Sequence, residues 1–156
     1  MNTLQVGDTA PLFELADQNG ETVKLADFIG KKRVLVYFYP KAMTPGCTTQ
    51  AQNLRDVKAD LEAANTVVFG ISPDASKRLA KFCERDSLNF TLLSDENHKV
   101  ADDFGVWGLK KFMGREYDGI HRMSFIIGLD GKISHVLNKF KTKEHHQVVL
   151  DTLAEA

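Results

Sequence analysis

Tyr37-Phe38-Tyr39-Pro40-Lys41-Ala42-Met43-Thr44-Pro45-Gly46-Cys47 is the stretch on which the fold turns. The apolar, β-branched and aromatic run Val34–Tyr39 reads as a buried strand. Pro40 ends it, because proline cannot donate to a strand ladder. Thr44-Pro45 then reads as a helix start, with an N-cap hydroxyl followed by proline at the first helical position. On that count Cys47 is the third helical residue, where backbone N–H groups lack intrahelical partners and the macrodipole is positive. A thiol so placed is expected to ionise more readily than a free cysteine, whose pKa is about 8.5. The sequence thus describes a strand that delivers a cysteine to the tip of a helix. Free cysteines are also among the most buried residues, so position alone leaves a structural role open.

Working outward, residues 1–30 read as a lead-in of short strands. Phe13-Glu14-Leu15 and Thr22-Val23-Lys24-Leu25 flank Asn19-Gly20, a hairpin signal. Asp27–Gly30 reads as a helical turn, and Lys31-Lys32-Arg33 as a solvated lead into the central strand. After Cys47 the helix is expected to run from Pro45 to about Ala63. Cys47, Gln50/Ala51, Leu54, Val57 and Leu61 then share one inward face. Thr66–Ile71 reads as a second apolar strand, Ala75–Asp86 as a helix and Thr91–Leu93 as a short strand. His98–Phe104 reads as a helix closed by Gly105. Val106–Gly119, rich in glycine and aromatics, reads as a loop. Ile120–Leu129 and Lys132–Asn138 read as strands joined at Asp130-Gly131, and Lys143–Ala154 as the closing helix. Strand–helix–strand units followed by a hairpin and a helix predict an α/β fold, a mixed sheet covered by helices on both faces.

With 156 residues, one domain spanning 1–156 is expected. Apolar residues make up 43% and charged residues 26%, as in ordinary globular proteins. Twenty basic and 21 acidic residues leave a formal charge of −1, which argues against nucleic acid or an anionic membrane as a partner. Met1–Ala10 lacks a signal-peptide pattern, and no run approaches the ~18 apolar residues of a membrane span. Two cysteines are too few for a disulfide scaffold, so a cytoplasmic setting with reactive thiols is expected. His98, His121, His135 and the His145-His146 pair show no metal-ligand spacing and read as solvated or locally bonded. No phosphate-binding glycine loop is present, so neither metal nor cofactor is expected.

Pro40-x-x-x-Thr44-x-x-Cys47 resembles the peroxiredoxin active-site pattern. The longer phrase YFYPKAMTPGCTTQ, Tyr37 to Gln50, closely resembles the bacterioferritin comigratory protein (PrxQ) subfamily. The resemblance continues through Gly70-Ile71-Ser72, Leu92-Leu93-Ser94-Asp95, Phe104-Gly105-Val106-Trp107-Gly108 and Arg122-Met123-Ser124-Phe125-Ile126-Ile127. It implies a thioredoxin-like fold with an N-terminal strand extension, and a thiol-dependent peroxidase acting on hydrogen peroxide and organic hydroperoxides.

The resemblance also implies roles. Cys47 is the peroxidatic nucleophile. The Thr44 hydroxyl bonds to thiolate and peroxide, Pro40 shields the sulfur from water, and the N–H groups of Gly46 and Cys47 face substrate oxygen. Arg122 is the cation that stabilises the thiolate and serves the leaving oxygen. Many subfamily members carry a resolving cysteine five residues after the first, where this chain has Gln52. Cys83, thirty-six residues on from Cys47, takes that role if any internal thiol does, forming an intramolecular disulfide recycled by thioredoxin or a similar dithiol protein. If both helices are regular, such a bond requires local unwinding. Trp107 and its neighbours either contact substrate or pack on the core. A monomer is expected. Two other classes stay open: a thioredoxin-type disulfide oxidoreductase, for which Cys47-Thr48-Thr49-Gln50 lacks the second thiol, and a redox-switched binding protein.

Overall fold

The structure, a computed structural model, describes residues 1–155. Residue 156, the last of the span read as one domain, lies outside the described residues.

The strand predicted before Pro40 is β3 (Arg33–Phe38), and it lies inside a seven-stranded sheet. Around it stand β1 (Glu14–Asp17), β2 (Thr22–Lys24), β4 (Thr66–Ser72), β5 (Thr91–Ser94), β8 (Met123–Ile127) and β9 (Ile133–Leu137). The spatial order is β2-β1-β5-β4-β3-β8-β9. β3, β4 and β5 run parallel, while β8 and β1 pair antiparallel on either side of that block. The sheet is therefore mixed.

Every residue from Val34 to Tyr39 is buried, since both faces of β3 are covered. Side chains alternate across the strand. Val34, Val36 and Phe38 enter one core with Phe69, Phe104 and Phe125. Leu35, Tyr37 and Tyr39 enter the other with Cys47, Leu54, Leu79, Phe82 and Val149. Helix α4 (Lys99–Phe104) covers the first face; α1 (Pro45–Asp56), α3 (Ser76–Asp86) and α5 (His145–Ala154) cover the second. Gly70 on β4 allows this packing. A Cβ there would sit 2.8 Å from the Tyr37 ring and 2.9 Å from Leu92.

Several elements depart from the sequence reading. The helix expected from Pro45 to Ala63 breaks at Val57 (φ −110°, ψ 18°), which separates α1 from the short α2 (Lys58–Ala63). β-Branched Val57 is a poor helix residue, but Leu61 continues the apolar period and hides the break. The stretch Val106–Gly119 is not a loop. It forms most of a separate hairpin, β6 (Trp107–Phe112) and β7 (Arg115–Ile120), joined at Met113-Gly114 with φ of 49° and 79°. That turn has two left-handed residues without the usual Asn-Gly signal. Ile120 belongs to this hairpin, so the strand expected from Ile120 starts only at Met123. Arg33 is half-buried rather than solvated, and its Nη2 donates to the Ala64 carbonyl at 2.9 Å. His145, too, is not solvated: it is fully buried, with Nε2 2.7 Å from the Ser124 hydroxyl.

Candidate active site

β3 ends at Phe38, and the chain crosses Tyr39–Thr44 to enter α1 at Pro45. Two anchors, one just before α3 and one in its first turn, fix this crossing. Asp74 Oδ2 accepts from the Ala42 amide at 2.7 Å and from the Ser72 hydroxyl at 2.8 Å. Arg78 Nη2 donates to the Ala42 carbonyl at 2.7 Å, while its Nε lies 3.1 Å from Asp74 Oδ1 as an ion pair. Met43 takes a left-handed φ of 65°, which folds the loop back on itself. In that turn the Thr44 hydroxyl donates to the Lys41 carbonyl at 2.7 Å.

This corrects one expectation about Thr44. Its backbone is extended, as an N-cap requires, and its carbonyl accepts from the Thr48 amide at 2.8 Å. Its side chain makes no capping bond to the helix and no bond to Cys47; its one proton goes to the Lys41 carbonyl. The oxygen retains lone pairs for a proton-bearing ligand. With no side chain capping them, the N–H groups of Gly46 and Cys47 also stay without an intrahelical partner.

Cys47 is 2% exposed and lies on the inward face of α1 with Gln50, Ala51 and Leu54. Arg122 comes to it from the sheet. Met123, the first residue of β8, pairs with Phe38, the last of β3, so the residue before Met123 stands beside the end of the central strand. Arg122 Nη2 lies 3.2 Å from Cys47 Sγ. Its Nη1 donates to Gln50 Oε1 at 2.5 Å. The guanidinium is fixed beside the sulfur and keeps N–H groups free for a second acceptor. Pro40 is half-buried in the loop that leads to this pair.

Three further residues at the site went unnoticed as functional in the sequence. Gln50, fully buried one helical turn after Cys47, orients Arg122, and its Nε2 has no partner among the described residues. Its inward position on α1 was the available signal. Thr142, from the segment before α5, overhangs the helix tip, with its Cγ2 3.6 Å from where a Cβ on Gly46 would lie. Lys110 of β6 donates to the Ile120 carbonyl at 2.8 Å, and its pKa is lowered by burial and by the Arg122 charge. Both arrive through long-range folding that no local pattern announces.

Cys83 sits on α3 against the same core as Cys47 and is also a free thiol. It is only half-buried. Burial, with a smaller contribution from the Asp17 charge, pushes its pKa up to about 11. Trp107 packs against the core and stacks on His98 at 3.9 Å between ring centroids. Among the described residues, no group of three or more His, Cys, Asp or Glu is arranged to hold a metal ion, and no helix is long and apolar enough to cross a membrane.

A free thiol at a helix tip beside an arginine, on a mixed α/β sheet, is the arrangement of a thiol peroxidase of the thioredoxin fold. The chain belongs to the AhpC/TSA family, whose model matches residues 6–136, and within it to the bacterioferritin comigratory protein (PrxQ) peroxiredoxins. Peroxiredoxin Bcp of Escherichia coli is 61% identical over 155 residues, 99% of either chain. The structure of the Xanthomonas campestris bacterioferritin comigratory protein, described in terms of its alkyl peroxide reduction activity, is 26% identical with a TM-score of 0.87, covering 95% of this chain and 98% of that one. A cysteine-to-serine mutant of Xanthomonas campestris peroxiredoxin Q is 29% identical with a TM-score of 0.86, covering 92% of each. A second such mutant replaces a different cysteine, with a TM-score of 0.86 at 28% identity, covering 92% of this chain and 90% of that one. The protein is thus a thiol-dependent peroxidase, an oxidoreductase that takes peroxides as substrates and draws electrons from a thiol reductant.

Proposed function

We propose that Cys47 is the peroxidatic residue and that the sheet, not the helix alone, activates it. The observation that carries this reading is the 3.2 Å contact between Arg122 Nη2 and Cys47 Sγ. The Cys47 thiolate attacks one peroxide oxygen along the O–O axis. The S–O bond forms as the O–O bond breaks, and the other oxygen leaves as an alkoxide or hydroxide that takes up a proton. Sulfur is oxidised to sulfenic acid and the peroxide is reduced to alcohol or water. Arg122 and the N–H groups of Gly46 and Cys47 supply donors where that charge develops, and the Thr44 oxygen accepts from the peroxide proton. Pro40 and the buried Tyr39 limit access of water to the sulfur. Hydrogen peroxide and organic hydroperoxides are the substrates, in keeping with the activity described for the Xanthomonas campestris relative.

Resolution falls to Cys83. The two cysteines replaced by serine in the Xanthomonas campestris mutants stand at the same sequence separation as Cys47 and Cys83. The product is an intramolecular Cys47–Cys83 disulfide, reduced by thioredoxin or a similar dithiol protein. The enzyme works as a monomer in the cytoplasm.

The test is peroxide consumption coupled to thioredoxin and its reductase in wild type and Cys83→Ser, with peptide mapping after one equivalent of peroxide. Wild type yields a monomeric disulfide. Cys83→Ser keeps the first oxidation, loses thioredoxin-linked turnover and over-oxidises more readily. Wild type with Cys83 still free and Cys47 capped by an external thiol makes this a one-cysteine enzyme.

A further inference from the structure

The helices that carry the two thiols are joined by a polar clasp that the peroxidatic chemistry does not use. Asp86, at the end of α3, is 8% exposed. Its Oδ1 accepts from Gln52 Nε2 at 2.9 Å and its Oδ2 from Arg85 Nε at 2.8 Å. Its backbone carbonyl accepts from Arg55 Nη1 at 2.6 Å. Arg85 Nη2 reaches across to the Thr48 hydroxyl at 2.8 Å, and Asn89 Nδ2 donates to the Arg55 carbonyl at 3.2 Å. Thr48, Gln52 and Arg55 fall at i, i+4 and i+7, one edge of α1. Each gives or receives a bond to α3 or the residues after it.

The clasp follows each sulfur closely in the sequence. Thr48 directly follows Cys47, and Arg85 and Asp86 lie two and three residues beyond Cys83. Movement of this edge of α1 against α3 therefore strains these bonds. Disulfide formation takes the Cys47 sulfur away from Arg122 and requires the two Cα atoms to stand about 4.4–6.8 Å apart. We infer that the clasp between Thr48, Gln52 and Arg55 of α1 and Arg85 and Asp86 of α3 holds the peroxide-reactive arrangement, and that its opening paces condensation of the Cys47 sulfenic acid with Cys83.

In that step the Cys83 sulfur attacks the Cys47 sulfur. The S–S bond forms and the S–O bond breaks. Oxygen departs with the thiol proton and the sulfenic proton as water, so no oxidant is needed beyond the peroxide already consumed. The same opening exposes Cys83 to water, relieving the burial that keeps it protonated. Gln52, Arg85 and Asp86 act here as positioning residues. This inference rests on the resolving role proposed for Cys83.

Rapid quench with thiol alkylation and mass spectrometry separates the two rates in the full-length protein. Gln52→Glu sets a carboxylate of nearly equal volume against Asp86. It forms the disulfide about tenfold faster, the scale of losing one hydrogen bond to a charged group, while Cys47 oxidises at the wild-type rate. It also needs more peroxide to over-oxidise, and in the reduced state its amides exchange faster over the first turns of α1 and around Cys83. Gln52→Lys offers Asp86 an ammonium and returns the resolving rate to wild type or below. Asp86→Asn gives a second reading if Gln52→Glu does not fold. A folded Gln52→Glu or Asp86→Asn that resolves at the wild-type rate overturns the inference. A wild type that forms no Cys47–Cys83 bond instead overturns the resolving role, and the clasp then has no reaction to pace.

Discussion

Cys47 and Cys83 face the same apolar layer, yet their sulfurs sit in different company. Cys47 is nearly sealed, at 2% exposed, and carries an arginine nitrogen 3.2 Å away. Cys83 is half-exposed, but no cation is bonded to its sulfur among the described residues, and burial with the nearby Asp17 pushes its pKa up to about 11. Under the proposed roles, burial by itself does not decide which thiol attacks: the more buried sulfur is the one beside a fixed guanidinium, and the less buried one is the neutral resolving thiol. Their supports differ in the same way. Asp74 and Arg78 lock the loop before Cys47, and the Asp86 clasp ties the helix edges beside both sulfurs.

Removing one sulfur is the most severe way to break this contrast. Cys47→Ser abolishes peroxide turnover, since a hydroxyl is not the same nucleophile, and Cys83 does not substitute because it stays protonated. A coupled thioredoxin assay that retains a substantial fraction of wild-type turnover refutes the assignment. Removing the cation comes next. Arg122→Ala slows Cys47 oxidation by about 10²–10³-fold, the range for losing one donor at a developing oxyanion. Stopped-flow oxidation by hydrogen peroxide measures it, and an unchanged rate removes Arg122 from the site. Disulfide formation after that first step, which takes the sulfur away from Arg122, is not slowed.

A milder change sharpens the difference between the two supports. Asp74→Ala frees the Ala42 amide and the Ser72 hydroxyl. Oxidation of Cys47 then slows about tenfold, as expected when a reacting group is misplaced slightly, with resolution untouched. Equal slowing of both steps, read by the same rapid-quench experiment, would show that the two supports are one.

The last effect is on stability rather than rate. Burial, then the Arg122 and His146 charges, push the pKa of His145 down to about 3. The unfolded chain has an ordinary histidine near 6.5. Between these values the unfolded state binds the extra proton, so His145 costs stability progressively as pH falls from about 6.5 toward 3, by a few kcal/mol in all. Asp95, whose carboxyl is raised by burial against its bonds to the Ala101 and Val100 amides, acts with the opposite sign. The reading is thus the difference between wild type and His145→Gln in urea unfolding at several pH values. The variant shows a flatter slope, and parallel slopes exclude the histidine.

Much of this arrangement was legible in the chain. Val34–Tyr39 declares a strand covered on both faces, and Pro45 fixes a helix start that puts Cys47 in its first turn. Asn19-Gly20 and Asp130-Gly131 mark real hairpins, between β1 and β2 and between β8 and β9. Met113-Gly114 makes the same kind of turn from residues that carry no such mark, so its hairpin was read as a loop. The Thr44 hydroxyl looked like a cap because the local pattern is that of a cap, but a left-handed Met43 brings the Lys41 carbonyl closer. Only resemblance to the family marks Arg122 in the sequence. Its meeting with Cys47 depends on the pairing of Phe38 with Met123, a contact across 85 residues that no periodicity encodes. Gln50, Thr142 and the Asp86 clasp are legible only once helices lie beside one another.

That register has a consequence for the catalytic cycle. Arg122 stands directly before β8, next to the pairing of Met123 with Phe38, whereas Cys47 rides on the first turn of a helix. In the disulfide proposed above that turn comes apart, and the guanidinium has no reason to follow. Strand pairing keeps it in place like a dock at an empty berth. Reduction then returns the sulfur to a charge already waiting for it, so the site is rebuilt by refolding one helical turn rather than by reassembling a pocket.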